Sequence, residues 1–369
     1  MQRDIHPQLF SGSYARQAHV GLPEGTFEEE YGRDGFFGPA TQIYHKHAPT
    51  GWTRIEGPLR PRCVYLDNLA DTQTGQRVPF LGNQSAQIWA WRLTQSMGHL
   101  LRNADGDEML FVHQGSGRIM TELGMHSYGE GDYLLIPRGI GYQLQVDSPT
   151  MLLVVEATGS RFKLPDRGIV GLHAVFDPAV LQVPVQQGCH ATPNAAGEYE
   201  IHVKRRNAIT RVFYAHDPTD IAGWKGDTTV FKMNWRDIRP ITSHSYHIPP
   251  SAHTLFLSER FVVCTFAPRP YESDPKCLRV PYFHRNIDYE EVLFYHQGNF
   301  MSRAHTRLGM ATLHPTGIHH GPHPAALRNQ HKLVMADEVA VMIDFRDAVD
   351  MAPIPPACEN LDYVNSWKE

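Results

Sequence analysis

Positive charge is scarce in this chain. Lys and Arg number 34 against 39 Asp and Glu, so the 369 residues carry a formal charge of −5 with histidine neutral. Without a basic excess there is nothing to displace counterions from a polyphosphate, which excludes nucleic-acid binding by bulk charge. Long apolar runs are missing too. No stretch reaches the roughly 18 uncharged apolar residues that suggest a spanning helix, and the opening MQRDIHPQLF has no apolar core of a secretory leader. Cysteine is sparse. The five (Cys63, Cys189, Cys264, Cys277, Cys358) are scattered, odd in number and never spaced C-x-x-C. That argues against a disulfide framework or a thiolate zinc site and fits a reducing cytoplasm. Capped amphipathic helical patterns are hard to find.

Histidine, by contrast, is abundant, with 22 copies. It is the commonest metal ligand and the side chain best suited to proton transfer near neutral pH, so the positions of these residues matter. Thirty glycines and 27 prolines cut the chain into short segments, and the runs between them are β-branched and aromatic. Residues 85–95, 109–115, 116–123, 132–139, 141–146 and 150–157 read as strands, and so do 227–235, 253–266, 290–300, 309–315 and 338–345. Many short strands with turns every 8–12 residues define an all-β sandwich or barrel.

Two motifs recur in the same order. Glu108-MLFVHQ-Gly115 matches Glu291-VLFYHQ-Gly298, and Gly131-DYLLI-Pro137-R-Gly139-IG-Tyr142 matches Gly309-MATLH-Pro315-T-Gly317-IH-His320. This is an internal duplication of a β unit. Each E-x6-G segment is a strand ending at a turn glycine, and each P-x-G turn can aim the following side chain back toward the same interior point.

In the second copy that side chain is His320, and His284 lies just upstream in YFHRN. His284, Glu291 and His320 would place two imidazoles and one carboxylate at a barrel mouth, the ligand set of non-haem Fe(II) oxygenases. Zinc is the physical competitor. The first copy keeps Glu108 but has Asn103 and Asp105 in place of histidines, and Tyr142 in place of His320, so it is expected to be metal-free. An oxygen-rich site at Asp105, Asp107 and Glu108 is the alternative. His113 and His296, shared by both copies, are expected to serve the barrel. His319 and His323 flank His320 on a turn that can point only one of them inward, and His45 and His47 are expected to be structural.

The spacing of His284, Glu291, the closing glycines and His320 resembles the cupin signature. More narrowly, YFHRN, the acidic pair 290–291, the H-x5-HGP run ending at Pro322, NADGD (103–107) and RFKLPDRGIVG (161–171) resemble the homogentisate 1,2-dioxygenase family over about residues 85–325. The family spacing places the carboxylate ligand at Glu290, whereas the repeat places it at Glu291. Glu291 is chosen because it aligns with Glu108, and Glu290 then faces the other side of the strand.

The resemblance implies an all-β bicupin, two jelly-roll barrels behind an N-terminal extension. The segments are an arm (1–48), a metal-free cupin (49–162), a linker (163–215), a catalytic cupin (216–350) and a tail (351–369). It implies Fe(II), a small aromatic substrate and dioxygen, ring cleavage of homogentisate to maleylacetoacetate, no nucleic-acid or membrane partner, and a trimer-based homo-oligomer. It also gives His314 and His247 proton-moving roles near the substrate and makes Asn286 a substrate or oxygen contact. Phe300 stands where the family has a substrate-contacting tyrosine. Rival readings are a dioxygenase for another hydroquinone or a gentisate-like ring, a non-oxidative cupin isomerase or hydrolase, and a non-catalytic bicupin. The terminal segments 1–48 and 346–369 are candidates to pack on a neighbouring barrel.

Overall fold

The structure, a computed structural model, describes residues 9–186, 190–300, 303 and 306–368. Residues 1–8, where the leader was sought, and Cys189 lie outside the described residues. Strands dominate the regular structure of the described chain, which has only two short α-helices, at Leu66–Asp71 and Pro324–Asn329. Among the described residues no helix is long and apolar enough to cross a membrane.

Three large sheets build the fold. A seven-stranded sheet runs Phe231–Asn234, Asp132–Ile136, Asp107–Gln114, Thr150–Ala157, Ala86–Leu93, Arg77–Gly82 and Asp350–Met351 in spatial order. A six-stranded sheet (Ala208–Tyr214, Tyr199–Arg205, Leu100–Asn103, Gly141–Val146, Gly117–Thr121, Gly124–Tyr128) closes the first barrel. The third sheet, of six strands, belongs to the second barrel: Thr254–Leu257, Phe261–Phe266, Val339–Phe345, Glu290–Gln297, Met310–His314 and Arg62–Tyr65.

The continuous apolar runs now have a cause. A strand buried on both faces has no polar alternation. In Thr150–Ala157, Met151, Leu153 and Val155 enter one core while Leu152 and Val154 enter another. In Glu290–Gln297, Val292 and Phe294 join the first of these cores, and Leu293 and Tyr295 enter the interior of the second barrel. The shared core is therefore the layer between the two barrels, where the seven-stranded sheet meets the third sheet. Side-chain parity along each strand puts Glu108, Glu156, Glu291 and Asp344 on the barrel-interior side.

The duplication is visible in the backbone. Gly115 and Gly298 have φ of 91° and 89°, and a Cβ would fall 2.4 Å from Pro149 O at the first and 2.1 Å from Asp337 O at the second. The two E-x6-G strands also meet about a local pseudo-twofold axis. His113 lies edge-on to Phe294 (5.0 Å) and His296 edge-on to Phe111 (4.8 Å), while the two histidines join Nδ1 to Nδ1 at 2.9 Å.

Connectivity crosses between the barrels. Arg62–Tyr65, early in the chain, pairs with Met310–His314 of the second barrel, and Phe231–Asn234 pairs with Asp132–Ile136 of the first. The stretch 163–215, expected as a linker, supplies the hairpin Tyr199–Arg205/Ala208–Tyr214 to the first barrel. The run 253–266, expected as one strand, breaks at Ser258–Arg260 into two antiparallel strands. The C-terminal tail packs on its own second barrel. Arg62 holds Glu359 by two bonds of 2.7 and 2.6 Å, and the Trp52 indole donates to Val364 O at 3.2 Å.

Burial lowers the pKa of His113 to about 4 and that of His296 to about 3. Above the unfolded value of about 6.5 both states are neutral there. As pH falls through that value, the unfolded chain takes up two protons that the folded chain refuses, so the pair makes stability fall with acidification. The double substitution His113→Leu/His296→Leu should flatten the stability–pH curve by about 2 kcal/mol per pH unit near pH 5. Denaturant titrations at pH 7, 6 and 5 read this, and parallel curves would show that the pair is not held neutral.

Candidate metal centre

His284, Glu291 and His320 converge. Their ligand atoms lie within 4.8 Å of one another, and all three residues are buried. The backbone does much of the placing. His284 N donates to His320 O at 3.0 Å and His320 N to His284 O at 2.9 Å, so the two histidine segments form one antiparallel bridge. Glu291 projects from the third sheet into the space beside them. Its oxygens lie 3.7 Å from each Nε2, Oε2 facing His284 and Oε1 facing His320.

The hydrogen bonds set the tautomers. His284 Nδ1 donates to Tyr282 O (2.9 Å) and His320 Nδ1 to Ile318 O (3.2 Å), which leaves each Nε2 as the lone-pair nitrogen aimed at the centre. His284 Nε2 is buried without a hydrogen-bond partner. An orphaned acceptor next to a carboxylate and a second unprotonated imidazole nitrogen is a donor set that fits a divalent transition metal. Burial lowers the pKa of His320 to about 3, keeping it neutral. Burial works against charge on Glu291, yet the His320, His284 and His314 rings outweigh it and hold the carboxyl well below its usual range.

Glu290 occupies the other strand face. Its Oε2 accepts from Val349 N at 2.8 Å, and burial raises its pKa. His319 points away from the centre to Glu29 Oε1 at 3.1 Å, and His45 reaches the same carboxylate from the N-terminal hairpin at 2.7 Å. That hairpin, Phe27–Gly32 with Ala40–His45, braces the first ligand segment, because Glu30 N donates to Phe283 O at 2.8 Å and Phe283 N to Glu28 O at 3.0 Å.

A buried cavity opens from the ligands. His284 and Glu291 share its wall with His247, Phe300, Tyr271, Tyr282, Tyr295, Phe36 and three arginines, Arg269, Arg279 and Arg303. His247 Nδ1 is bonded to Glu272 Oε1 at 3.0 Å. Phe300 meets the Tyr295 ring edge-on at 4.6 Å. Asn286, with a left-handed backbone (φ 40°), lies instead in an adjoining cleft that shares Phe36 and His284, and its Nδ2 is 3.3 Å from His320 Nε2. His314, expected to face a substrate, sits behind Glu291. Its Nδ1 is 2.6 Å from Glu291 Oε1, its Nε2 is 3.0 Å from the Tyr363 hydroxyl, and its ring stacks on His320 at 4.6 Å.

Sequence reading missed Arg303, Asp344, Tyr363 and Arg77. Asp344 is paired in register with Glu291 just as Glu156 is paired with Glu108, so extending the repeat one strand further would have found it. Burial and the neighbouring Glu291 push the Asp344 carboxyl well above its usual range.

The equivalent point of the first barrel is filled by protein. Arg77 bonds both Glu108 and the Tyr142 hydroxyl; Tyr142 also donates to Glu108 Oε2 (2.7 Å) and Asn103 Nδ2 to Glu108 Oε1 (2.9 Å). Asp105 is taken by Lys204 at 2.7 Å. A guanidinium thus stands where the second barrel gathers two imidazoles.

Fold and site together define an all-β, cupin-type protein carrying a two-histidine, one-carboxylate group in one of its two barrels. Residues 26–235, more than half of the chain, match the family profile described as homogentisate 1,2-dioxygenase N-terminal. The "Putative dioxygenase" of Saccharolobus solfataricus is 30% identical over 362 residues, 92% of each chain. Homogentisate 1,2-dioxygenase of Caenorhabditis elegans is 27% identical over 246 residues, 64% of this chain and 54% of that one; the Rhodopseudomonas palustris enzyme is 28% identical over 291 residues, 75% and 63%. The match thus spans less than two thirds of those two enzymes' length. A cupin 2 barrel protein from Leptotrichia buccalis aligns with 77% of this chain and 96% of its own at TM-score 0.38 and 10% identity. The chain belongs to the homogentisate 1,2-dioxygenase family.

Because Glu108 is fully buried, removing its cation leaves an uncompensated charge. Arg77→Met should cost about 3–5 kcal/mol of unfolding free energy, measured by denaturant titration. A loss below about 1 kcal/mol would mean that Glu108 is not held by Arg77.

Proposed function

We propose that the protein is an Fe(II)-dependent ring-cleaving dioxygenase acting on homogentisate, with maleylacetoacetate as product. The convergence of His284, Glu291 and His320 beside an arginine- and tyrosine-lined cavity carries this reading, and membership of the family supports it. Fe(II) held by these three residues would supply a redox-active Lewis acid, which a closed-shell ring and dioxygen need in order to react.

The chain's own residues prepare the substrate. The wall carries Arg269, Arg279 and Arg303 against Glu291 and Glu338. It is formally positive even before a divalent cation is added and more so afterwards, which favours a substrate carboxylate together with a phenolate. His247 donates its Nδ1–H to Glu272, leaving Nε2 as the basic atom, and it takes the phenol proton there. Leu293, Phe36, Phe266 and Phe300 give the ring an apolar bed and exclude water. Asn286 offers its amide to the substrate or to dioxygen from the adjoining cleft. Phe300 favours a second reading, a related hydroquinone or gentisate-like acid, because a phenylalanine offers no hydroxyl to the ring substituent.

Oxygen uptake by the Fe(II)-loaded protein with homogentisate tests the proposal. Stoichiometric uptake is expected, with loss of iron and of turnover in His320→Ala. His247→Asn should keep its iron and lose about 10²–10⁴-fold in kcat. Bound iron without uptake on homogentisate would sink that substrate and leave the second reading; a wild-type protein that binds no iron would sink the dioxygenase itself.

A further inference from the structure

We propose that Tyr363 in the C-terminal tail is a positioning residue for the metal-binding carboxylate, acting on Glu291 through His314. The inference rests on the metal-binding reading above and deepens it. An ionised carboxylate only accepts hydrogen bonds, so the 2.6 Å contact between His314 Nδ1 and Glu291 Oε1 requires the hydrogen on Nδ1. A neutral imidazole with its hydrogen on Nδ1 has a bare Nε2. The Tyr363 hydroxyl, 3.0 Å from that nitrogen, must therefore be the donor. The order of donation is fixed from end to end: Tyr363 to His314, His314 to Glu291.

This relay has a geometric consequence. Turning the Glu291 carboxylate about its last bond would break the contact to His314, so Oε1 is tethered and Oε2 stays on the His284 side. The His314 ring, fixed at both nitrogens, lies nearly parallel to the ring of His320 at 14°. One hydroxyl thus constrains the carboxylate directly along the relay and the second imidazole by stacking.

Tyr363 is itself fixed. It is buried, and its segment is tied down at three separate points: Arg62 on Glu359, Trp52 Nε1 on Val364 O, and Trp367 Nε1 on Gly321 O at 3.1 Å, the residue after a ligand. The rear of the centre is built by the end of the chain and by a strand from near its beginning.

The test compares wild type, Tyr363→Phe and Trp52→Phe, measuring anaerobic Fe(II) affinity, the visible spectrum of the Co(II)-substituted protein and the melting temperature of the apo form. Tyr363→Phe keeps the ring and removes only the hydroxyl. It should weaken Fe(II) binding by about tenfold or more and shift the Co(II) bands. Trp52→Phe loosens the same tail without touching the relay, and should lower the apo melting temperature while leaving Fe(II) affinity within about twofold of wild type. Affinity in Tyr363→Phe within about twofold of wild type, or an equal loss in Trp52→Phe, overturns the positioning role alone. A wild-type protein that takes up no divalent metal overturns the metal reading and this inference with it.

Discussion

A carboxylate on a strand buried on both faces cannot be left alone. Desolvating an unpaired anion costs several kcal/mol even after relaxation, so the chain must build something around it. Both barrels carry such a group at the same place, Glu108 in one and Glu291 in the other. Much of the surrounding structure can be read as two answers to that one problem. In the first barrel the answer is internal: a guanidinium, a phenol and an amide saturate the carboxylate. In the second it is incomplete by design of the donors, since His284 Nε2 and His320 Nε2 face Glu291 as lone pairs rather than as hydrogens. A cation among them would be held by both lone pairs and by the carboxylate at once.

The same constraint accounts for how the elements are tied together. The ligand histidines sit in irregular segments, where a side chain is free to wander. The fold compensates with the backbone bridge between His284 and His320, with the N-terminal hairpin hydrogen-bonded to Phe283, and with the tail behind His314. None of these braces comes from the strand that carries Glu291. Two come from opposite ends of the chain, which explains why an early strand, Arg62–Tyr65, is spent on the edge of the late sheet: it pairs with Met310–His314 and anchors the tail through Glu359. Precision at a metal site depends on such support more than on the ligands themselves.

Legibility in the sequence followed locality. The repeat motifs carry their own geometry, so the turn glycines and the orientation of Glu291 rather than Glu290 could be inferred from positions within eight residues. The hairpin at 199–214 was hidden because its turn is Arg206-Asn207, both with positive φ (49° and 60°), where the usual hairpin signal is an Asn-Gly or Asp-Gly pair. Non-local partners left no periodic trace at all. Arg77 lies 31 residues before Glu108, and Tyr363 lies 49 after His314. Only the folded chain brings them to the point where their chemistry is needed.

The contrast between the barrels also bears on why a decayed copy persists. A metal cannot enter the first barrel without expelling Arg77, whose charge is bound to Glu108 in a site with almost no access to water. Such a pair is not a strong source of net stability by itself, but breaking it is costly. The first barrel is thereby locked in one arrangement, and it presents its seven-stranded sheet as a rigid face. The second barrel packs Val292, Phe294, Val341 and Ile343 against that face, in the same strands that hold Glu291 and Asp344. A site that gathers two unprotonated imidazole nitrogens, a carboxylate and a second buried carboxyl, Asp344, depends on strands that hold their place. The inert barrel supplies the opposing surface that keeps those two strands from relaxing.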